Sequence, residues 1–350
     1  MKRRTFLTAA GAGVTAALAG CLSQSNNDDS LVVATYGAFL DAPSVSPGEF
    51  VKQEFESEFD TTLVWQSPPE EANHYIQREQ EGVGIDADVY LGLSTGELVR
   101  IDDELDTSLF ATAPDVEGTD SLREGLAFDP EGRAVPFNTG YISLVYDSTV
   151  VEAPETFDGL LDPAYEGQLL AQNPGTSSTG RAFMLHTINE FGTDGEYTYL
   201  DFWSDLQDNG VTILGSWGDA YAAFDDAGEA PMVVSFSTDQ VFADADGADL
   251  AEHQVRFLND QAYANPEGMA MFEDADEELA QQFMEFILRP EIQGEIAQQN
   301  VVFPATDNAE LPPDYSDLAQ EPPEPVTFSY EELRGSVETW IDDWEREIAG

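Results

Sequence analysis

Basic residues are scarce in this sequence and acidic residues abundant. The 350 residues include 13 Lys and Arg against 69 Asp and Glu, a formal net charge of −56 at pH 7. Such a chain has little with which to neutralise phosphates, which excludes nucleic acid as a partner. The acids run the whole length of the chain, whereas a surface for a basic partner predicts clustered acids. We interpret them as adaptation to high salt, because molar salt shortens the Debye length to about 3 Å and relieves the repulsion.

Cysteine and histidine are rare as well. Cys21 is the only cysteine, which excludes intrachain disulfides and a cysteine metal cluster. His74, His186 and His253 lie far apart and form no metal-ligand spacing. The sequence lacks a Gly-x-Ser-x-Gly elbow, a phosphate loop and a dinucleotide fingerprint. We therefore expect a protein that is not an enzyme and carries no cofactor or metal; a secreted hydrolase is the alternative from another class.

Long hydrophobic runs are missing too, and the longest stretch of small apolar residues lies near the start. "MKRRTFLTAAGAGVTAALAGC" pairs Arg3 with Arg4 and ends in "LAGC". The first feature resembles a twin-arginine export signal and the second a lipobox, in which Cys21 becomes the lipidated N-terminus. The apolar run is shorter than the ~20 residues of a membrane span, so an uncleaved anchor is the less favoured alternative. We expect a signal peptide over 1–20 and a flexible tether over 21–30, with the mature lipoprotein of haloarchaeal type on the outer face of the cytoplasmic membrane.

Beyond residue 30, short apolar runs alternate with helical patterns. We predict strands over 31–36, 61–65, 87–93, 141–147, 167–173, 211–214 and 231–237. Helices are predicted over 48–59, 200–208 and 275–299, the last broken at Pro290, and over 330–350 at the end of the chain. The alternation of strands and helices favours an α/β fold with mostly parallel sheets.

Two segments rich in hydroxyl groups follow predicted strands. Thr176, Ser177, Ser178 and Thr179 stand before a helical run, where one hydroxyl would cap the helix. The remaining hydroxyls and the free N–H groups would form a cradle for an anion or a hydroxyl. The segment 236–239, "FSTD", has the same placement. Capping and ligand binding both remain open for these segments, although open α/β sheets bind ligands at this edge.

An aromatic pair is equally ambiguous. Trp217 and Tyr221 are four residues apart in "GSWGDAYAAF", so they share one face of a predicted helix. They are either core residues or two walls of a pocket for a flat or cationic ligand.

The segments "VPFNTGYISLVYD", "QNPGTSSTG", "GSWGDAYAAF" and "VVSFSTD", in this order and spacing, resemble the periplasmic thiamine-binding proteins of ABC importers. These belong to the wider class of type II solute-binding proteins, and the similarity runs from about Leu31 to Ile348. The resemblance implies two lobes of mostly parallel sheet, joined by hinge crossover strands, with the ligand between them. Lobe 1 would comprise 31–139 plus about 247–320 and lobe 2 would comprise 140–246, followed by a connector and C-terminal helix over 321–350.

The resemblance also implies a set of ligand-binding residues. The aromatic walls would be Tyr36, Trp217, Tyr221 and Phe236. The hydroxyethyl or phosphate end would bind Thr176, Ser177 and Ser178. Further polar contacts would come from Ser237, Thr238 and Asp239, and a carboxylate beside the thiazolium cation from Asp239 or the pair Glu70 and Glu71. Three departures from the family pattern bear on ligand choice: Gly37, Phe236 and Val301 replace Asp, Tyr and Trp.

The implied function is that of an extracytoplasmic receptor. It would capture thiamine or its mono- or diphosphate and deliver the ligand to an ABC permease, as a monomer held at the membrane through Cys21. Aromatic faces attract such a cation by about 0.5–2 kcal/mol each, an attraction that molar salt leaves largely intact. A receptor for another small organic cation, such as a polyamine, or for ferric ion is the alternative.

Overall fold

The computed structural model describes residues 30–42, 45–68 and 70–349. The predicted signal peptide, Cys21 and nearly all of the predicted tether lie outside the described residues. Within them the strands are β1 (Ser30–Thr35), β2 (Thr62–Gln66), β3 (Val89–Ser94), β4 (Ala134–Tyr146), β5 (Leu169–Gln172), β6 (Thr212–Leu214), β7 (Met232–Phe236), β8 (Gln254–Arg256), β9 (Gln261–Met271), β10 (Phe303–Pro304) and β11 (Glu324–Val326).

Helices occupy most of the segments between the strands. They are α1 (Gly37–Leu40), α2 (Gly48–Glu58), α3 (Ala72–Gln80), α4 (Thr95–Glu104), α5 (Ser178–Phe191), α6 (Tyr199–Asp208), α7 (Trp217–Asp225), α8 (Asp239–Asp246), α9 (Glu277–Ile287), α10 (Pro290–Gln299), α11 (Tyr315–Leu318), α12 (Tyr330–Leu333) and α13 (Val337–Trp344). None of these helices, over the residues the structure describes, is both long and apolar enough to cross a membrane.

The sheet runs in the order β2-β1-β3-β9-β4-β7-β5-β6. Strands β2, β1 and β3 are parallel to one another, and so are β7, β5 and β6. The two long strands in the middle, β9 and β4, are antiparallel to their neighbours. Residues 134–141 of β4 pair with β9, whereas residues 142–146 pair with β7 and β8. One strand therefore passes through both halves of the sheet.

One apolar cluster lies in the first half of the sheet, and a larger one extends across both halves. In the first half, Phe55 of α2 packs edge-on against Phe283 and Phe286 of α9, with ring centroids 5.6 and 5.4 Å apart. In the second half, Trp203 of α6 meets Trp344 of α13 at 5.2 Å with perpendicular rings. The C-terminal helix α13 therefore packs against α6, and its Glu338 also pairs with Arg100 of α4.

Most of the predicted elements form close to their predicted bounds. The helix predicted over 48–59 ends at Glu58, and the break predicted at Pro290 separates α9 from α10. The single helix predicted over 330–350 is wrong. It is divided into α12 and α13, because Gly335 adopts a left-handed backbone (φ +70°) that an α-helix does not continue through. Strand β9 was not predicted, since its sequence "QAYANPEGMAM" contains the turn-forming residues Asn, Pro and Gly.

Candidate ligand-binding site

A cavity of about 830 Å³ lies where the two halves of the sheet meet. Its walls come from the ends of β1, β5 and β7, from the central strands β4 and β9, and from α7. The lining residues used below are Tyr36, Glu71, Asn138, Gly140, Thr176, Ser177, Ser178, Thr179, Trp217, Tyr221, Phe236, Asp239, Glu267, Asn300 and Val301.

The aromatic pair on α7 forms one wall of this cavity. The rings of Trp217 and Tyr221 stack at 4.8 Å with an interplanar angle of 27°. The indole Nε1 of Trp217 donates to Ser235 Oγ at 3.0 Å, which fixes the ring, while Tyr221 is fully buried behind it. The pair thus belongs to both the core and the cavity. Tyr221 packs in the core, and the half-buried Trp217 lies between Tyr221 and the open space.

Two further aromatic rings lie directly on glycine backbone. A Cβ added at Gly140 would meet Phe236 Cδ1 at 2.5 Å, and one added at Gly92 would meet Tyr36 Cδ1 at the same distance. Because these glycines carry no side chain, the edges of both rings contact the backbone of the sheet. Phe236 and Tyr36 line the cavity from opposite halves of the molecule.

The hydroxyl-rich segment 176–179 both caps helix α5 and lines the cavity. Ser177 is the N-cap of α5, and its Oγ accepts from the backbone N–H of Gly180 at 3.3 Å. Thr176 Oγ1 donates to the carbonyl of Gly215 at 2.8 Å and so joins this segment to the turn before α7. All four hydroxyl residues, together with the N-terminus of α5, border the cavity.

The segment 237–239 is placed differently. Ser237 and Thr238 are fully buried and do not line the cavity; Thr238 Oγ1 donates to the carbonyl of Val301. Asp239 does line it, and its Oδ2 lies 2.8 Å from Nδ1 of His253. Burial lowers the pKa of His253, but the hydrogen bond to Asp239 and the charges of Asp239 and Asp225 together outweigh it, and the net shift is upward. Asp239 is therefore already paired with a histidine.

Of the acidic pair at 70–71, only one residue reaches the cavity. Glu70 is exposed and does not line it. Glu71 does, and its backbone is left-handed (φ +49°), as is that of Val301 (φ +55°) on the same cavity. A positive φ is unfavourable for a β-branched residue such as Val301, and strained residues of this kind concentrate at binding sites.

The site residue that sequence reasoning missed is Glu267, on β9. It is only 7% exposed, and its Oε2 accepts from Asn138 Nδ2 of β4 at 2.9 Å. The Tyr36 hydroxyl is a second hydrogen-bond partner of Glu267, and it accepts from Asn300 Nδ2 at 2.6 Å. Nothing in the sequence distinguishes Glu267 from the other 68 acidic residues, because its position depends on pairing between distant strands.

Glu71 and Glu267 are unusual carboxyl groups. Burial, reinforced by the charge of Glu97, raises the pKa of Glu71 to about 8. Burial also raises the pKa of Glu267 to about 8, against the opposing hydrogen bond from Asn138. Arg181 lowers the pKa of Glu71 only in part. The cavity thus combines a stacked aromatic wall with two carboxyl groups whose pKa is raised by burial, and a carboxylate beside aromatic rings is an arrangement suited to a flat cation.

A metal centre has less support from the geometry. The residues that the structure describes contain no group of three or more His, Cys, Asp or Glu side chains placed to hold a metal ion.

Residues 51–323 match the family model for the bacterial extracellular solute-binding protein. The chain belongs to this family. The thiamine-binding periplasmic protein of Escherichia coli K12 is 27% identical to this solute-binding protein over 320 residues, which are 91% of this chain and 93% of the relative. The corresponding Brucella melitensis protein is 26% identical over 329 residues, 94% of this chain and 95% of the relative.

Solved structures agree with the fold of this solute-binding protein. A periplasmic thiamin binding protein superposes with a TM-score of 0.79 and 25% identity, covering 91% of this chain and 96% of the other. The iron-bound HitA of Pseudomonas aeruginosa superposes with a TM-score of 0.70 at 18% identity, covering 90% of this chain and 99% of the other, which shows the shared fold alone. The predicted α/β fold of the type II periplasmic binding protein class is therefore confirmed.

Proposed function

We propose that this solute-binding protein captures thiamine, or one of its phosphate esters, outside the cytoplasm and delivers it to an ABC permease. The observation that carries the proposal is the cavity itself, in which the Trp217–Tyr221 stack and the carboxyl groups of Glu71 and Glu267 line one space. Relatives of nearly the same length that bear the name thiamine-binding periplasmic protein support the choice of ligand.

The chemistry of thiamine fits these walls. The molecule carries a permanently positive thiazolium ring and a flat aminopyrimidine, and aromatic faces attract such a cation by about 0.5–2 kcal/mol. The hydroxyethyl or phosphate end would bind residues 176–179, where the N-terminus of α5 supplies N–H groups and a partial positive charge. Glu71 and Glu267 would balance the ring charge within the buried space.

Capture would proceed by closure of two lobes about the central strands. In the proposed division, lobe 1 comprises 31–139 and about 247–320, and lobe 2 comprises 140–246, with 321–350 as connector and C-terminal helix. Strand β4 passes between the two halves, so a small rotation within it would change the width of the cavity. A ligand that touches both lobes only in the closed form would stabilise that form, which is the form a permease would recognise.

Calorimetry at molar salt tests the ligand. Thiamine, thiamine monophosphate, thiamine diphosphate, spermidine and ferric ion would each be titrated into the purified protein. We expect saturable binding of at least one thiamine form and none of spermidine or ferric ion. Binding of spermidine or iron alone would replace the proposed ligand while leaving the family unchanged.

We also propose that the chain is exported by the twin-arginine route and anchored through a lipid on Cys21. The support is the sequence of residues 1–21 and the extracellular character of the family. In the native host, Cys21→Ser should release the protein into the medium, and the double change of Arg3 and Arg4 to Lys should keep it inside the cell. A Cys21→Ser protein that stays with the membrane fraction would contradict the anchor.

A further inference from the structure

The cavity has more acidic side chains at one end than nearby basic side chains can neutralise. Glu71 and Glu267 both line the cavity, and Glu97 lies within electrostatic range of both. The cations in this cluster are Arg100 and Arg181, and Arg100 is already paired with Glu338 at 2.5 Å. Arg181 is 3% exposed, and its Nε and Nη1 have no hydrogen-bond partner among the described residues. This leaves two carboxyl groups, the buried Glu267 and the half-buried Glu71, at the end of a space open to ligand.

The hydrogen bonds on Glu267 fix its position without supplying a positive charge. Asn138 donates to it from β4, and its other partner is the Tyr36 hydroxyl, which Asn300 fixes in turn. Both partners are neutral, so they do not offset the unfavourable free energy of burying an ionised carboxylate. Either a bound proton or a cation that enters from solvent would have to neutralise Glu267.

We propose that Glu71 and Glu267 form a proton-exchange site, which holds a proton while the cavity is empty and releases it to solvent when the positively charged ring of the ligand enters. One O–H bond of the carboxyl pair is lost, the proton goes to the buffer, and the carboxylate left behind pairs with the cation. The charge inside the cavity is therefore the same before and after capture. This inference rests on the proposed function and extends it, because it explains how so acidic a molecule selects cations without depending on long-range attraction that salt would screen.

The other groups that face this pair do not supply the proton. Desolvation raises the pKa values of the half-buried Tyr36 and the buried Tyr90 well above their ordinary range, so both stay protonated throughout. Burial lowers the pKa of Arg181, but a guanidinium keeps its proton in proteins. A second source would be the other acids of the cavity lining, Asp41, Asp219, Asp226 and Asp239, of which Asp239 is paired with His253. Variants of the carboxyl pair distinguish this source from the proposed one.

Linkage fixes the direction of the pH effect. Burial raises the pKa of each carboxyl to about 8 in the empty cavity, and a bound cation lowers the pKa of the one carboxyl that pairs with it. Affinity for a ligand of constant charge therefore rises by about tenfold per pH unit below pH 8 and levels off above it, with about one proton released for each ligand bound.

The experiment uses thiamine itself, because its phosphate esters titrate in the same range. Calorimetry between about pH 6 and pH 8.5, in buffers of different ionisation enthalpy, gives the number of protons released with each thiamine bound. We expect about one proton for the unmodified protein at pH 7, and a release reduced by at least about half in Glu267→Gln and in Glu71→Gln. Glu190→Gln, the same chemical change at an exposed position of α5, should leave the release unchanged.

A second readout needs no ligand and shows that the variants are folded. A carboxyl whose pKa rises from 4.5 in the unfolded chain to about 8 in the folded one stabilises the fold at low pH and loses this contribution as pH rises through that interval. The melting temperature of the empty protein should therefore fall less between pH 5 and pH 8 in Glu267→Gln than in the unmodified protein.

The outcomes separate the two proposals. Thiamine binding without proton release, or with a release that neither Gln variant reduces, would overturn the exchange site and leave the proposed function intact. Failure of every thiamine form to bind would overturn both.

Discussion

At the scale of single residues, the cavity depends on a few side chains whose surroundings differ from those of ordinary core. Trp217 illustrates this: one edge is fixed by Ser235 and one face by Tyr221, while the rest borders open space. Trp203, by contrast, is completely enclosed, with its Nε1 bonded to Thr187. We therefore expect the removal of Trp217 to affect mainly ligand affinity and the removal of Trp203 to affect mainly the stability of the fold.

We expect Trp217→Ala to weaken thiamine binding by up to about 2 kcal/mol, or about thirtyfold, through loss of its cation–π contact. Because Trp217 is only half-buried, the unfolding free energy should fall by less than the about 3–5 kcal/mol expected for Trp203→Ala. Calorimetry and urea unfolding measure the two effects. Equal losses of stability in the two variants would show that Trp217 is core rather than ligand wall.

Sequence reasoning proposed the aromatic and hydroxyl residues of the cavity and the carboxyl residues Glu71 and Asp239, but not Asn138, Glu267 or Asn300. Trp217, Tyr221 and Ser177 stand in short segments that mark them out, since local spacing and capping patterns are visible in sequence. Asn138, Glu267 and Asn300 come from three distant elements, and only the register between β4 and β9 brings the first two together. Contacts between such distant residues cannot be recognised from a single sequence.

At the scale of elements, the predicted parts of the fold are those with a strong period. Helix α9 and the break at Pro290 followed from apolar spacing and the missing proline N–H. Strand β9 did not, because its partners β3 and β4 on either side make it a strand despite Asn265 and Pro266. Tertiary pairing decided that element, and the same pairing positions Glu267.

Strand β4 also controls the cavity through Gly140. A methyl group at this position would meet the Phe236 ring at 2.5 Å, so Gly140→Ala should push the ring toward the ligand. Overpacking of this kind costs about 1–3 kcal/mol, and where the ring occupies ligand space we expect a loss of affinity of about tenfold or more. Thiamine calorimetry measures the change. Gly84→Ala, where the added methyl group meets nothing within 4 Å, is the matched control; unchanged affinity in Gly140→Ala would show that Phe236 is free to move elsewhere.

At the scale of the whole molecule, charge dominates. A net charge of −56 on 350 residues produces strong self-repulsion at low ionic strength, where the Debye length of about 10 Å at 0.1 M lets neighbouring carboxylates interact. We predict that the melting temperature rises steeply as potassium chloride is raised from 0.1 M to molar concentration, where that length is about 3 Å. Sucrose, which strengthens burial without screening charge, is the control. An equal rise in sucrose would mean that the acidic surface is not what salt relieves.

The placement of Trp217 has one further consequence, for observation rather than for binding. The chain contains five tryptophans, and four of them, Trp65, Trp203, Trp340 and Trp344, are absent from the cavity lining. An indole whose surroundings change when the cavity fills would report occupancy through its fluorescence, above a constant background from the other four. The unlabelled protein therefore contains its own optical reporter, one that works as well in brine as in dilute buffer.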